Sequence, residues 1–130
     1  FQFGFGHDAA SSGFPPFRFT PDLVAYSGTH DNDTILSWWN QTCKTDKPVR
    51  DYIRAYFDSS GREFNWLVIR ALMASVANVA IFPMQDLLGL GPEGRMNRPG
   101  HAHGNWSWRM GEHDFTPKIA KRLRGLGDLF

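Results

Sequence analysis

The sequence alternates short apolar runs with longer segments of helical periodicity, and this alternation limits the fold more than any other feature. Residues 23–27 (LVAYS) and 79–82 (VAIF) are compact apolar runs that stop at Gly28 and Pro83. Such runs are typical of strands that are buried on both sides of a parallel sheet. Residues 1–5 (FQFGF) alternate with period two and predict a further strand. Short buried strands that alternate with helices indicate an α/β fold.

Apolar residues at helical spacing predict the helices between and after these strands. Several N-cap residues precede a short helix at 35–39, and Pro48 fits the first turn of a helix that runs to about Phe57. The clearest helical pattern runs from Asn65 to about Ala77. The remaining predictions are a helical turn at 84–88, long loops at 6–22 and 89–111, and a final basic helix opened by Thr116 and Pro117 and carried by Ile119, Leu123 and Leu126.

The length and the first residue predict a fragment. Three strands cannot close a barrel, and a complete eight-stranded barrel takes about 250 residues. The chain has 130 residues and begins with Phe1, inside an apolar alternation. If the sheet belongs to such a barrel, more than half of that barrel lies outside this sequence.

Charge and cysteine content narrow the classes of partner. Fourteen Lys and Arg residues against 13 Asp and Glu residues give a net charge of +1, which argues against binding to nucleic acid or anionic lipid mainly by charge. The longest apolar stretch, residues 66–84, is interrupted by Arg70 and Asn78, so it lacks the clean run of a membrane span. The single cysteine, Cys43, cannot form an intramolecular disulfide and favours a reducing compartment.

The pair His30 and Asp31 is the strongest candidate site. It lies directly beyond the predicted strand at 23–27, and α/β sheets and barrels place their sites at the carboxyl ends of strands. A carboxylate fixed there can stabilise the positive charge that develops on a sugar ring, and a neighbouring histidine can hold a ring hydroxyl. Asp31 or Asp33 could instead cap the following helix, and spacing alone leaves capping and catalysis open.

The Gly-rich segment near the C-terminal end offers weaker candidates. Trp106 and Trp108 would point to opposite sides of an extended segment, so one could meet a sugar face while the other packs inward. Core packing is the commoner role for any one tryptophan. His101 and His103 with Asp31 would suit a metal-dependent hydrolase, but histidines two apart in a Gly-rich loop lack a firm third ligand. We therefore interpret these two histidines as exposed loop residues.

Four stretches carry a family resemblance: residues 28–34 (GTHDNDT), 82–86 (FPMQD), 95–100 (RMNRPG) and 104–109 (GNWSWR). Their order and spacing resemble the 4-alpha-glucanotransferases of glycoside hydrolase family 77, the amylomaltases or disproportionating enzymes. The resemblance implies a (β/α)8 TIM barrel enzyme that cuts an α-1,4 bond and transfers the donor to the 4-hydroxyl of another sugar with retention. It implies that residues 1–130 form the C-terminal part of that barrel, with about three strands, no separate second domain and no cofactor.

The matching positions also imply roles for particular residues. Asp31 corresponds to the carboxylate that stabilises the transition state, and His30 corresponds to its substrate-binding neighbour. The family's nucleophilic aspartate and acid/base glutamate precede the first residue of this chain, so we expect the chain alone to be inactive, because retention needs both carboxyl groups. The remaining implied sugar contacts are Asp8, Asn97, Pro99, Gly100, Asn105 and Trp106.

The implied substrate is an α-1,4-glucan or maltooligosaccharide, with no metal, nucleic acid or membrane partner. The implied location is the cytoplasm, or the plastid if the source is a plant. Open strand edges of a partial barrel would let the chain associate with other chains. A function of another class stays open, namely a small carbohydrate-binding module that uses Trp106 and Trp108 without catalysis.

Overall fold

The computed structural model describes residues 1–5 and 15–130. The helices and strands of these residues form one α/β arrangement with a main core and a second, smaller apolar cluster. The 3₁₀-helices Gln2–Phe5 and Pro16–Arg18 precede the longer elements, and a third, Pro92–Gly94, lies between the last two of them. The longer elements are β1 (Val24–Tyr26), α1 (Ile35–Thr45), α2 (Lys47–Phe57), α3 (Phe64–Met73), β2 (Val79–Ile81), α4 (Met84–Leu88) and α5 (Pro117–Gly127).

Strands β1 and β2 are parallel and lie side by side, which confirms two of the three predicted strands with shorter bounds. Helices α1, α2 and α3 form the crossover that parallel neighbours require. The prediction of burial on both faces is wrong for the described residues. Ala25 is buried, but the side chains of Val24, Tyr26, Val79 and Ile81 are between 40% and 45% exposed. The crossover helices cover only the face to which Ala25 points.

The predicted strand at residues 1–5 is wrong, because this segment forms a 3₁₀-helix. The Gly4 N–H donates a hydrogen bond to the Phe1 carbonyl at 2.8 Å. The turn brings the rings of Phe1 and Phe5 within 4.7 Å, and each lies 6.2 Å from the ring of Phe57. Aromatic packing against α2 therefore outweighs the period-two pattern, and the described residues contain two strands rather than three.

The main core lies between β1 and the crossover helices. The indole of Trp39 stacks on the ring of Phe64 at 4.3 Å, which joins α1 to α3. A second cluster attaches α5 to α3 and α4. Its buried members are Trp66, Ile69 and Leu87, and Ile119, Leu123 and Leu126 of α5 pack against them, as the helical spacing predicts.

The predicted helices are confirmed with different ends. Helix α1 continues to Thr45 rather than stopping near Trp39. Helix α3 ends at Met73 rather than Ala77, because the Ser75 hydroxyl donates to a carbonyl of the last turn at 2.6 Å and competes with the helical pattern. No helix of the described residues is long and apolar enough to cross a membrane.

Candidate functional site

The polar segment 28–34 leaves the end of β1 and leads into α1, so His30 and Asp31 lie at the carboxyl edge of the sheet. Parallel α/β sheets gather their sites at this edge. The N-cap of α1 is Thr34, whose hydroxyl accepts a hydrogen bond from the first turn at 3.2 Å. Neither Asp31 nor Asp33 is the N-cap, so the capping alternative for Asp31 is wrong.

A buried carboxylate in α4 holds both ends of this segment. Asp86 accepts hydrogen bonds from the Ser27 hydroxyl at 2.6 Å and from the Ile35 N–H at 2.9 Å. The Asn65 side chain donates to the Asp86 carbonyl at 2.8 Å. Burial raises the pKa of Asp86 above its ordinary value, and the nearby Asp33 carboxylate raises it further. The hydrogen bonds from Ile35 and Ser27 oppose that rise because they favour the ionised form.

The carboxylate of Asp31 joins this segment to the loop at 95–97. Its Oδ1 accepts a hydrogen bond from the Asn97 Nδ2 at 2.6 Å and lies 3.4 Å from the His30 Nε2. The Asn97 backbone N–H also donates to the His30 carbonyl at 3.0 Å. The Asp31 side chain is 49% exposed. The candidate carboxylate is therefore oriented by named partners while one side of it stays open to solvent.

Arg95 links the same two segments through its guanidinium. Its Nη2 donates to the Asp31 carbonyl at 2.9 Å, and its Nε donates to the Asn97 carbonyl at 2.9 Å. Its Nη1 lies 3.6 Å from the Asp33 Oδ2. The side chain is only 24% exposed, so the guanidinium lies largely between the two segments.

Trp106 lies beside the histidine. Its indole centroid is 5.0 Å from the centroid of the His30 imidazole, with the two planes tilted by 38°. The Trp106 backbone N–H donates to the Met96 carbonyl at 2.7 Å, and the φ of Trp106 is 59°, a left-handed value that is rare for a large side chain. Arg109 donates to the carbonyls of Trp106 and Trp108 at 2.9 and 2.7 Å. The loop thus holds Trp106 with 53% of its surface exposed.

A cavity of about 190 Å³ opens among these groups. Its wall combines one aromatic face, carboxylates, an imidazole and a guanidinium, which is the mixture that binds the apolar faces and hydroxyls of a sugar ring. Asp31 and Asn97 are not among the lining residues, but both contact His30: the Asp31 Oδ1 lies 3.4 Å from its Nε2, and the Asn97 backbone N–H donates to its carbonyl. The lining includes His30, Asp33, Asp86, Arg95, Met96 and Trp106.

Three other predicted sugar contacts, Asp8, Pro99 and Gly100, are not among the residues described around this cavity. Asp8 falls outside the described residues. Pro99 and Gly100 are exposed, and neither lines the cavity among the described residues. Gly100 has a φ of 82°, so it serves the turn that leads from the loop at 95–97 toward Trp106.

Asn105 supports the loop rather than facing the cavity. Its Oδ1 accepts from the Arg98 N–H at 2.9 Å, and its Nδ2 donates to the His101 carbonyl at 2.8 Å. Both ends of the amide are therefore used by loop backbone. Among residues 1–5 and 15–130, no three His, Cys, Asp or Glu side chains are grouped as metal ligands, so His103 and its neighbours do not form the metal site of the hydrolase alternative.

Sequence reasoning assigned no role to Asp86 or Arg95, although both lie in stretches that carry the resemblance. Asp86 had a readable signal, because an acidic residue next to Leu87 and Leu88 in a segment after a buried strand needs a partner if it is buried. Arg95 had no such signal in the sequence. Two of its three acceptors are backbone carbonyls, and one of these, the Asp31 carbonyl, lies 64 residues away.

Comparisons with known proteins agree with one another. The family model described as 4-alpha-glucanotransferase matches residues 1–114. The 4-alpha-glucanotransferase of Clostridium butyricum is 40% identical over 130 residues, which cover 99% of this chain and 26% of that protein. The chloroplastic/amyloplastic enzyme of Arabidopsis thaliana is 43% identical over 133 residues, covering 99% and 22%. Amylomaltase from Streptococcus agalactiae, solved in complex with acarbose, matches with a TM-score of 0.89 and 32% identity over 98% of this chain and 26% of that one.

These matches confirm the predicted resemblance and an α/β fold close to that of amylomaltase. The chain spans about a quarter of the length of the relatives it matches. The family model covers the sheet, the segment at 28–34 and the loops that face it. The chain therefore belongs to the 4-alpha-glucanotransferase family, glycoside hydrolase family 77.

Proposed function

We propose that this chain supplies one catalytic carboxylate and part of the glucan cleft of a retaining 4-alpha-glucanotransferase. The observation that carries the proposal is the half-exposed Asp31 carboxylate at the carboxyl edge of the sheet, held at 2.6 Å by Asn97 and 3.4 Å from His30. The proposal includes the architecture: residues 1–130 form a single unit, the C-terminal part of a (β/α)8 barrel. The parallel pair β1 and β2 with its helical crossover, and the likeness to amylomaltase, support that part.

In this mechanism Asp31 stabilises charge and forms no bond. A retaining transfer breaks the α-1,4 bond while an enzyme carboxylate attacks the anomeric carbon and an acid protonates the leaving 4-oxygen. The acceptor's 4-hydroxyl then displaces that carboxylate and gives its proton to the same acid/base group. Both transition states carry positive charge on the ring, and a fixed carboxylate beside the ring lowers their free energy. The attacking carboxylate and the acid/base group belong to the part of the enzyme outside this chain.

The neighbours of Asp31 hold the sugar in register. His30 presents its imidazole between the carboxylate and the indole of Trp106, where it can bond a ring hydroxyl. Trp106 offers an exposed aromatic face for the C–H surface of a glucose unit. Asn97 is the remaining proposed sugar contact, although its amide already donates to Asp31. The substrate class is an α-1,4-glucan, and no step of this scheme requires a cofactor.

The test is Asp31→Asn in the full-length enzyme, meaning the longer protein that we propose contains this chain. We expect transfer between maltooligosaccharides to fall at least about 10²- to 10³-fold, because one preorganised electrostatic group is lost at constant size. Asp51→Asn on the exposed surface of α2 is the matched control and should keep full activity. Wild-type turnover by Asp31→Asn would overturn the proposal.

The half-exposed Trp106 also favours a second candidate, a carbohydrate-binding module without catalysis. Titration of the 130-residue chain with maltooligosaccharides separates the two functions. Binding that survives Asp31→Ala but not Trp106→Ala, together with an active Asp31→Asn enzyme, would support the module. Under the enzyme proposal the chain alone transfers no sugar, because the nucleophile and the acid/base are absent from it.

The proposal also covers location: the cytoplasm, or the plastid if the protein comes from a plant. The relatives from Arabidopsis thaliana and Solanum tuberosum are named chloroplastic/amyloplastic, which supports the second alternative for a plant protein. Cell fractionation with an antibody against this chain tests it. Recovery in the membrane fraction would contradict both locations.

A further inference from the structure

We propose that Arg95 is a positioning residue that sets the angle of the Asp31 carboxylate without touching it. This inference rests on the proposed catalytic role of Asp31. Arg95 lies between the segment at 28–34 and the loop at 95–97, and its guanidinium has acceptors on both. Arg95 also lines the cavity, but each of its three guanidinium nitrogens already has a partner on these two segments, so its proposed effect on the reaction runs through their geometry.

The shape of the Arg95 guanidinium fixes the two backbone carbonyls that it binds relative to each other. It is planar and carries its donors in a fixed fork, so acceptors bonded to different nitrogens are held at fixed positions relative to one another. Here the Nη2 holds the Asp31 carbonyl at 2.9 Å, and the Nε holds the Asn97 carbonyl at 2.9 Å. A lysine ammonium is a compact point charge on a flexible stem and cannot hold two carbonyls in this relation.

The carbonyls held by Arg95 belong to Asp31 itself and to Asn97, the residue that binds the Asp31 carboxylate. The Asn97 Nδ2 donates to the Asp31 Oδ1 at 2.6 Å, so the residue that orients the carboxylate is itself anchored by Arg95. The backbone of Asp31 is anchored by the same guanidinium. The backbone from which the Asp31 side chain extends and the Asn97 amide that donates to it therefore both depend on the Arg95 guanidinium. A displacement of about 1 Å at a reacting centre can cost about 10²-fold in rate.

The positive charge of Arg95 also faces the Asp33 carboxylate. The Arg95 Nη1 lies 3.6 Å from the Asp33 Oδ2, and both side chains are largely covered, at 24% and 19% exposed. Asp33 also lies near enough to the buried Asp86 to affect its pKa. Arg95 thus balances a carboxylate that would otherwise add negative charge beside the cavity, which helps the two segments to stay closed on each other.

The experiment measures transfer from maltotriose by the full-length enzyme with Arg95→Lys, which keeps the charge and loses the fork. We expect kcat to fall about 10- to 100-fold with KM changed less than about threefold, since substrate contacts stay in place. Arg98→Lys is the matched control, because Arg98 is three residues further along the same loop and its side chain makes no hydrogen bond or ion pair with the described residues. It should keep full activity.

A double-mutant cycle separates positioning from a merely structural role. If Arg95 acts through the Asp31 carboxylate, Arg95→Lys should cost less than about threefold in kcat once Asp31→Asn has removed that carboxylate. Equal loss in both backgrounds, or wild-type kcat for Arg95→Lys, would overturn this inference and leave the proposed function intact. An active Asp31→Asn enzyme would overturn the proposed function itself. Arg95→Gln, which keeps one donor nitrogen and loses the fork, replaces the lysine variant in the cycle if that variant does not fold, with the same expected non-additivity.

Discussion

Asp86 shows how one residue couples the stability of the fold to the geometry of the site. A carboxylate that is only 3% exposed carries a large desolvation cost, and donors around it must offset that cost. The two donors are Ser27 and Ile35, which stand at the two ends of the segment that carries His30 and Asp31. Satisfying the buried charge therefore closes the segment into one conformation.

The raised pKa of Asp86 predicts a pH dependence of stability. Its ordinary value is 3.8, and burial raises it in the folded state. As the pH rises from 3.8 through the raised value, the unfolded state has released the proton that the folded state still binds. The contribution of Asp86 to the free energy of unfolding therefore falls over this window and stays low above it.

We expect Asp86→Asn to lack this contribution. Its free energy of unfolding, measured with urea between pH 3.5 and pH 7, should improve relative to the unsubstituted protein as the pH rises. A constant offset from altered hydrogen bonds does not affect that slope. Asn40→Ala, at an exposed position of α1 without a titratable group, is the control and should leave the pH dependence unchanged. Parallel curves for Asp86→Asn and the unsubstituted protein would contradict the prediction.

Two glycines should respond in opposite directions to the same substitution. Gly61 has a φ of 91°, and a Cβ there would overlap the indole of Trp39 in the core. Gly125 lies inside α5, and a Cβ there meets nothing within 4 Å. We expect Gly61→Ala to lower the free energy of unfolding by about 1–3 kcal/mol and Gly125→Ala to raise it by about 0.5–1 kcal/mol. Denaturant midpoints measure both, and shifts of the same sign would contradict this comparison.

At the scale of elements, the sequence predicted helices best where a side chain marks their ends. Thr116 caps α5 with its hydroxyl and Pro117 occupies the first turn, as their order indicates. The strand predicted at residues 1–5 failed because the rings of that segment pack on α2, a contact between elements that no local pattern encodes. The length of β1 and the exposure of its faces also depend on what packs against it.

The candidate site was also predictable only where a local sequence pattern marks it. The position of His30 and Asp31 follows from the end of a strand, and the structure places them at that edge. The contact of Asn97 with Asp31 joins residues 66 positions apart, so only family resemblance pointed to Asn97. The role of Arg95 could not be predicted from the sequence, because its hydrogen bonds to backbone carbonyls depend on how two loops meet and produce no periodic sequence pattern.

Helix α1 offers a test of N-capping at Thr34, with Thr45 in its last turn as the comparison. The Thr34 hydroxyl accepts from Ser37 at the first turn and donates to the Gly91 carbonyl at 3.1 Å, which ties the helix to the next loop. Thr34→Ala should cost about 1 kcal/mol of unfolding free energy, and Thr34→Ser should recover most of it. Thr45→Ala at the exposed end of α1 is the control and should cost less. An equal loss at both ends, measured by urea unfolding, would refute the capping role.

At the scale of the whole molecule, one face of the sheet is uncovered by the described residues. Val24, Tyr26, Val79 and Ile81 present their side chains there at 40% to 45% exposure, while the opposite face packs on the crossover helices. Parallel sheets are normally covered on both faces, and contiguous exposed apolar patches mark surfaces that bind another layer. In the full-length enzyme proposed above, the other strands of the barrel would cover this face.

The last prediction follows from that uncovered face. The 130-residue chain alone should self-associate at micromolar concentrations, seen as a concentration-dependent sedimentation coefficient, because strand edges and an apolar face are both open. Val24→Lys should reduce this association in the chain alone, yet destabilise the full-length enzyme, where the same side chain would be buried. Val76→Lys, at a position 60% exposed after α3, is the control and should change neither property strongly. A chain that stays a cooperatively melting monomer at every concentration would show that this face needs no further layer.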